Sequence, residues 1–183
     1  MAEQSFSAFA VDAAELLRLP GSGRTDLLDA ARSPLIGDLL AGRLADDADS
    51  LYTAMLPALA ARLGTPVGAA TLPGRHWDDL TGLFEALGRP ALAALWGDRW
   101  PWPRRTPDDQ PWPFPTLAPN ATLATLQREL ATLAPESLDG QHIPLDEDDL
   151  EEAVWLLTEQ LPTWVDGART LGRDLLIVRD GAR

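Results

Sequence analysis

Residues 4–11 read Gln-Ser-Phe-Ser-Ala-Phe-Ala-Val, a short apolar and aromatic run that ends at Asp12. This run predicts a β-strand, and Asp12 is a suitable N-cap for a helix over residues 13–19. Near the other end of the chain, residues 175–178 read Leu-Leu-Ile-Val, which is short enough to be a buried strand. Pairing of a strand near 5–11 with a strand near 174–179 would tie both ends of the chain into one core.

Helical spacing of apolar residues dominates the sequence between these two strands. The predicted helices cover residues 25–32, 33–44, 51–63, 77–87, 90–96 and 121–133. Asp146 begins a last helical stretch, with Pro162 as a break between two helices. Pro57 should kink its helix or split it into two segments, Asn120 should cap the helix that follows it, and residues 65–75 read as a Pro- and Gly-containing loop. The predicted fold class is therefore α+β: one predominantly helical domain over 1–183, with a small sheet that includes the N- and C-terminal strands.

A Trp/Pro-rich loop at about 97–119 is the most unusual segment. The stretch 96–115 holds four of the seven tryptophans and six of the sixteen prolines. Proline fixes φ and has no N–H, so this stretch cannot be a helix or an inner strand and should run extended. We expect Trp96 and at least two of Trp100, Trp102 and Trp112 to be buried against the helices at 77–96 and 121–133, since indoles contribute large apolar area.

The same loop has an alternative interpretation as a ligand- or peptide-binding surface. Arg104 and Arg105 lie between Trp102 and Trp112, and arginine with tryptophan is common at interface hot spots. In that case Trp100, Trp102, Arg104, Arg105 and Trp112 would bind a ligand, with the rings exposed. Otherwise the rings seal the core, and the two arginines pair with the aspartates at 108 and 109.

Composition limits the classes of partner and chemistry. The formal net charge is −13, the 15 basic residues are all Arg, and there is no Cys. Thiolate or Schiff-base lysine chemistry and Cys-ligated zinc are thereby excluded. The negative charge opposes binding to nucleic acid or an anionic membrane and would attract a basic protein. The start of the chain does not resemble a secretory signal, and no apolar run is long enough for a membrane span, so a cytoplasmic location is expected.

An acidic run at 146–152 is the leading candidate for a partner-binding surface. Six of its seven residues are acidic: Asp146, Glu147, Asp148, Asp149, Glu151 and Glu152. These carboxylates could bind a cation or a basic protein. They could also simply stabilise a helix N-terminus, and they lack the spacing of a calcium loop.

Catalytic residues cannot be assigned from the sequence. His76 and His142 are the only histidines, and each lies in a predicted loop. No nucleophile elbow, zinc-binding helix motif or phosphate-binding glycine loop is present. We expect no metal site and no cofactor.

Three stretches resemble an uncharacterised family of actinobacterial proteins, a domain of unknown function, and more distantly the YfbM-like family. They are residues 6–12 with the helix and polar Gly-containing turn that follow, the helix 51–64 that ends Ala-Arg-Leu-Gly, and residues 107–111 with 116–119 and the helix after them, together with the ending at 164–178. The Trp-Pro repeats depart from the pattern of that family. The resemblance implies a small cytoplasmic bacterial α+β domain, and it transfers no catalytic residues.

The leading functional hypothesis is a non-catalytic interaction protein, similar to immunity or antitoxin proteins, that binds a basic protein partner through its acidic surface. One alternative is a small-molecule-binding protein or enzyme with a pocket under the Trp/Pro-rich loop. Another is a structural subunit of an assembly, which would show an exposed apolar patch and a symmetric dimer. The oligomeric state is open.

Overall fold

A four-stranded antiparallel sheet in the order β2-β1-β4-β3 forms the centre of the molecule. This computed structural model describes residues 3–43, 55–73, 80–96, 113–134, 136, 138 and 147–181. The strands are β1 (Glu3–Val11), β2 (Thr65–Pro73), β3 (Phe114–Ala118) and β4 (Asp174–Gly181).

Helices cover both faces of the sheet. They are α1 (Ala13–Leu17), α2 (Ile36–Ala41), α3 (Leu56–Leu63), α4 (Leu80–Ala86), α5 (Pro90–Trp96), α6 (Asn120–Ala131), α7 (Glu147–Trp155) and α8 (Leu161–Thr170). A short 3₁₀ turn at Thr25–Leu27 and a π-helical segment at Leu156–Gln160 complete the described helical structure. The fold class is α+β, as the sequence predicted.

The two ends of the described chain pair with each other at the centre of the sheet. β1 and β4 are antiparallel, with a register that runs from Gln4 opposite Gly181 to Val11 opposite Asp174. Side chains alternate between the two faces of a strand. Phe6 therefore joins the core beneath α4–α8, whereas Phe9 joins the core beneath α1–α3. The predicted pairing of the terminal strands is confirmed.

One predicted loop is a strand. Residues 65–73 form β2, at the edge of the sheet beside β1, where the sequence predicted a loop because of its prolines and glycine. An edge strand tolerates Pro66 when its nitrogen faces away from the neighbouring strand. A register shift between Ala8 and Phe9 accommodates the irregular residues of β2.

The last residues of the predicted Trp/Pro-rich loop also form a strand. β3 begins at Phe114 and occupies the other edge of the sheet, where Pro115 lies opposite Val178 of β4. The sequence correctly excluded an inner strand here but did not predict an edge strand. The residues at 97–112 lie outside the described part of the chain.

Prolines mark helix starts and a helix defect. Pro57 lies in the first turn of α3, where its missing N–H removes no helical hydrogen bond. Pro162 does not break its helix as predicted, because the π-helical segment connects α7 to α8. A π turn moves the proline ring away from the carbonyl that it would otherwise meet in the preceding turn. The helices at 25–32 and 33–44 are shorter than predicted.

The carboxylate of Asp174 connects two helices to the sheet. Its Oδ2 accepts a hydrogen bond from the backbone N–H of Ala13 at 3.1 Å, and its Oδ1 accepts one from the N–H of Asn120 at 2.8 Å. The sequence predicted Asn120 as the cap of α6, but Asn120 is the first residue of the helix. Pro119 takes the N-cap position, without a side-chain hydrogen bond. Asp12 caps α1 through the N–H of Glu15, as predicted.

Candidate functional site

Two acidic residues of the run at 146–152, Glu151 and Glu152, have described side chains, and these differ in exposure. Glu151 is exposed, whereas Glu152 is half-buried and interacts with other groups. Asp146 lies outside the described residues, as do the side chains of Glu147, Asp148 and Asp149. The structure therefore places one member of the predicted partner-binding set, Glu151, on the surface.

Glu151 lines a groove that the sequence did not predict. The groove has a volume of about 400 Å³ and lies along α7 and the π-helical segment. We call it the Trp155 groove, and its lining consists of Glu136, Leu150, Glu151, Val154, Trp155, Thr158 and Glu159. Trp155 is 36% exposed, which is unusual for a tryptophan in a chain whose described apolar side chains are mostly buried.

Three carboxylates of this groove form no ion pair with the described residues. Glu136, Glu151 and Glu159 are exposed, and none of them forms an ion pair or a side-chain hydrogen bond with the rest of the described chain. Among the residues that the structure describes, no basic side chain lines the groove. The hydroxyl of Thr158 is already engaged, because it donates to the backbone carbonyl of Val154 at 2.8 Å. The groove therefore presents negative charge beside an aromatic ring.

The π-helical segment contributes to the shape of this groove. Thr158 and Glu159 belong to the π turns, and both line the groove. The neighbouring Leu156 and Leu157 are buried in the core and hold the segment against the protein. A π turn inserts one residue into a helix and is frequent at functional sites. The spacing of Glu151, Trp155 and Glu159 was visible in the sequence as two successive steps of four.

The structure describes Trp96, which precedes the predicted Trp/Pro ligand-binding set and is not one of its members. Trp96 is 8% exposed, and its ring meets Phe84 edge to face with 5.6 Å between centroids. Its predicted burial is confirmed. The five residues proposed to bind a ligand lie outside the described part of the chain, namely Trp100, Trp102, Arg104, Arg105 and Trp112.

A second groove lies at the base of the Trp/Pro-rich loop, between α5, the end of β3 and α6. Its volume is about 380 Å³. We call it the Ala94 groove, and its lining consists mainly of small or apolar side chains, with Ala94, Leu95, Leu117 and Leu126 among them. None of its described lining residues is titratable. This groove has the size and character of an apolar ligand site.

Buried polar side chains lie on the α4–α8 face of the sheet. Gln4, Thr116 and Arg179 are between 1% and 5% exposed. Arg179 lies opposite Phe6 and Phe114 in the register, and its guanidinium carbon is 5.3 Å from the centre of the Phe114 ring. These residues were not predicted from the sequence, although Gln4 and Phe6 are two positions apart on one strand and therefore lie on the same face.

The described residues contain no grouping of metal-ligating side chains. No three His, Asp or Glu side chains within them are grouped closely enough to hold a metal ion. His76 and His142 lie outside the described ranges. None of the helices described here is long and apolar enough to cross a bilayer.

Comparison with protein-family models, curated proteins and solved structures finds no match for this chain. The resemblance to the uncharacterised actinobacterial family and the YfbM-like family therefore stays a hypothesis.

Proposed function

We propose that this protein is a non-catalytic interaction protein that binds a basic protein partner, in the manner of immunity or antitoxin proteins. The observation that supports this proposal is the Trp155 groove, which is lined by an exposed tryptophan and by three carboxylates that form no ion pair within the described part of the chain. Exposed aromatic residues commonly provide binding energy at protein interfaces. The carboxylates would select a partner with positive charge.

The charge of the whole chain supports the same proposal. A net charge of −13 attracts a basic protein over distances comparable to the Debye length, about 10 Å at 0.1 M salt. Long-range attraction accelerates association, whereas the contacts in the groove would determine the rate of dissociation. The partner should therefore associate more slowly as the salt concentration rises.

Two double variants with the same change in charge test this proposal. Glu151→Gln with Glu159→Gln neutralises the Trp155 groove, and Asp29→Asn with Glu85→Gln neutralises two exposed carboxylates elsewhere. The probe is a synthetic peptide of alternating arginine and glycine, and its affinity is measured by calorimetry at low salt. We expect the groove variant to bind several-fold more weakly than the control variant. Equal weakening in both would show that only net charge matters and would contradict the proposed site.

The Ala94 groove supports a second candidate function, the binding of a small apolar molecule at the base of the Trp/Pro-rich loop. Its volume of about 380 Å³ lies within the usual range of ligand pockets. The substitution Ala94→Phe would fill this space. Fluorescence of 1-anilinonaphthalene-8-sulfonate on the unmodified protein, lost in Ala94→Phe, would support this function, and the same fluorescence in both proteins would contradict it.

A further inference from the structure

The Trp155 groove has the features expected of a site for one particular cation. Glu151 and Glu159 are each four positions from Trp155, one before it and one after it. Glu151 and Trp155 are four residues apart in α7 and project from the same face, Glu159 lies in the π-helical segment that follows, and all three side chains line the same groove. The groove therefore combines the indole of Trp155 with three carboxylates, the third being Glu136 from a different segment.

A guanidinium group fits this arrangement better than an ammonium group does. It is planar and weakly hydrated, so it stacks on an indole face while its N–H groups point outward at carboxylates. An ammonium group is compact and strongly hydrated, and it offers no flat face to the ring. The half-buried Leu150 and Val154 also line the groove and offer apolar contact to the methylene stem of a long basic side chain.

We infer that the Trp155 groove recognises an arginine side chain of the basic partner, stacked on Trp155 and hydrogen-bonded to Glu151 and Glu159. This inference rests on the proposed function and adds to it the identity of the anchoring residue. The cation would come from outside, because no basic residue of the described chain lines the groove. The partner's other basic residues would contribute to attraction without entering the groove.

Two peptides and two variants test the inference. The probes are hexa-arginine and hexa-lysine, which have equal charge, and the variants are Trp155→Leu and Glu151→Gln with Glu159→Gln. Trp155 is partly exposed, so its replacement by leucine should preserve the fold, which circular dichroism checks. We expect hexa-arginine to bind the unmodified protein about tenfold more tightly than hexa-lysine, from the typical strength of guanidinium–indole stacking. Trp155→Leu should remove this preference while both peptides still bind.

The outcomes separate this inference from the proposed function. Equal affinity for the two peptides, or an arginine preference that persists in Trp155→Leu, would overturn the arginine anchor and leave the acidic interface in place. Binding of both peptides that is unchanged in Glu151→Gln with Glu159→Gln would overturn the proposed interface itself. Loss of the arginine preference in Trp155→Leu but not in the Asp29→Asn with Glu85→Gln control would support the inference.

Discussion

The indole of Trp164 lies directly on the backbone of Gly68, so that a Cβ atom at position 68 would overlap the Nε1 side of the ring. Trp164 is 1% exposed and belongs to the core beneath α8. Gly68 is in β2, the strand that the sequence had indicated as a loop. Gly68 therefore does not mark a turn. Its lack of a side chain allows the indole of Trp164, from α8, to pack closely against the backbone of β2.

Gly68→Ala should destabilise the protein strongly. The added methyl group must displace a buried indole, and overpacking of this kind costs about 3 kcal/mol, which corresponds to a decrease of roughly 6–12 °C in Tm. Gly82→Ala is the control, because its Cβ would meet nothing within 4 Å in α4. That change should leave Tm equal or slightly higher. A Tm for Gly68→Ala equal to that of the unmodified protein would contradict the packing described here.

Asp174→Ala should cost about 2 kcal/mol, because it removes an acceptor from the first turns of both α1 and α6, and each cap contributes about 1 kcal/mol. Asp174→Asn keeps one acceptor oxygen and should lose about half as much. Urea unfolding measures both values. Asp166→Ala, at an exposed position of α8, is the control and should change the unfolding free energy by less than about 0.5 kcal/mol. Equal losses for the Ala and Asn variants would show that the two-helix contact is wrong.

We expect Glu129 to stabilise the N-terminal turn of α5. This carboxylate, 9% exposed, accepts hydrogen bonds from the N–H groups of Ala91 and Leu92 at 3.2 and 2.9 Å. Glu129→Ala leaves one buried and one partly buried N–H donor without an acceptor and should cost about 2–4 kcal/mol. Urea unfolding against the exposed Glu85→Ala provides the comparison, and similar losses at both positions would contradict this role.

Gln4→Met should stabilise the protein. Gln4 is 1% exposed, and neither Oε1 nor Nε2 of its side chain has a hydrogen-bond partner in the structure as described. An unsatisfied buried polar group costs about 1–3 kcal/mol, and methionine has nearly the same shape without that penalty. We expect Tm to rise by a few degrees. A lower Tm would mean that bound water or another group satisfies the amide.

Asp26 should titrate below the ordinary range of a carboxyl group. Arg24 donates two hydrogen bonds of 2.7 Å to it, and these lower the pKa of Asp26. A lowered folded-state pKa stabilises the fold above the unfolded-state pKa, and this contribution is lost as pH falls through the folded-state pKa. The pair is exposed, so the effect on overall stability will be small. An NMR titration of Asp26 that is unchanged in Arg24→Gln would contradict this assignment.

The terminal strands could be predicted because their signals are local and strong. Residues 175–178 are apolar without interruption, and β4 is buried on both faces of the sheet. β2 could not be predicted in this way. Its Pro66 and Gly68 signal a loop locally, and only the neighbouring β1 and the indole of Trp164 make them compatible with a strand.

The candidate site was predicted only in part. The acidic run directed attention to α7, and Glu151 does lie on its surface. The groove itself depends on the π-helical segment before Pro162 and on Glu136, which is distant in sequence. Composition gives the net charge of the chain but not the surface on which the charge lies. The sequence also does not distinguish the exposed Trp155 from a core tryptophan such as Trp164.

The order of synthesis gives the sheet a vulnerable period during translation. β1 emerges from the ribosome first and can pair early with β2, but its other side must wait for β4, which is made last. Until residues 174–181 emerge, the inner edge of β1 has hydrogen-bonding groups with no partner, and exposed strand edges promote aggregation. Nascent chains stalled before β4 should therefore depend on chaperones, and their protection from proteolysis should appear only after the last strand is released.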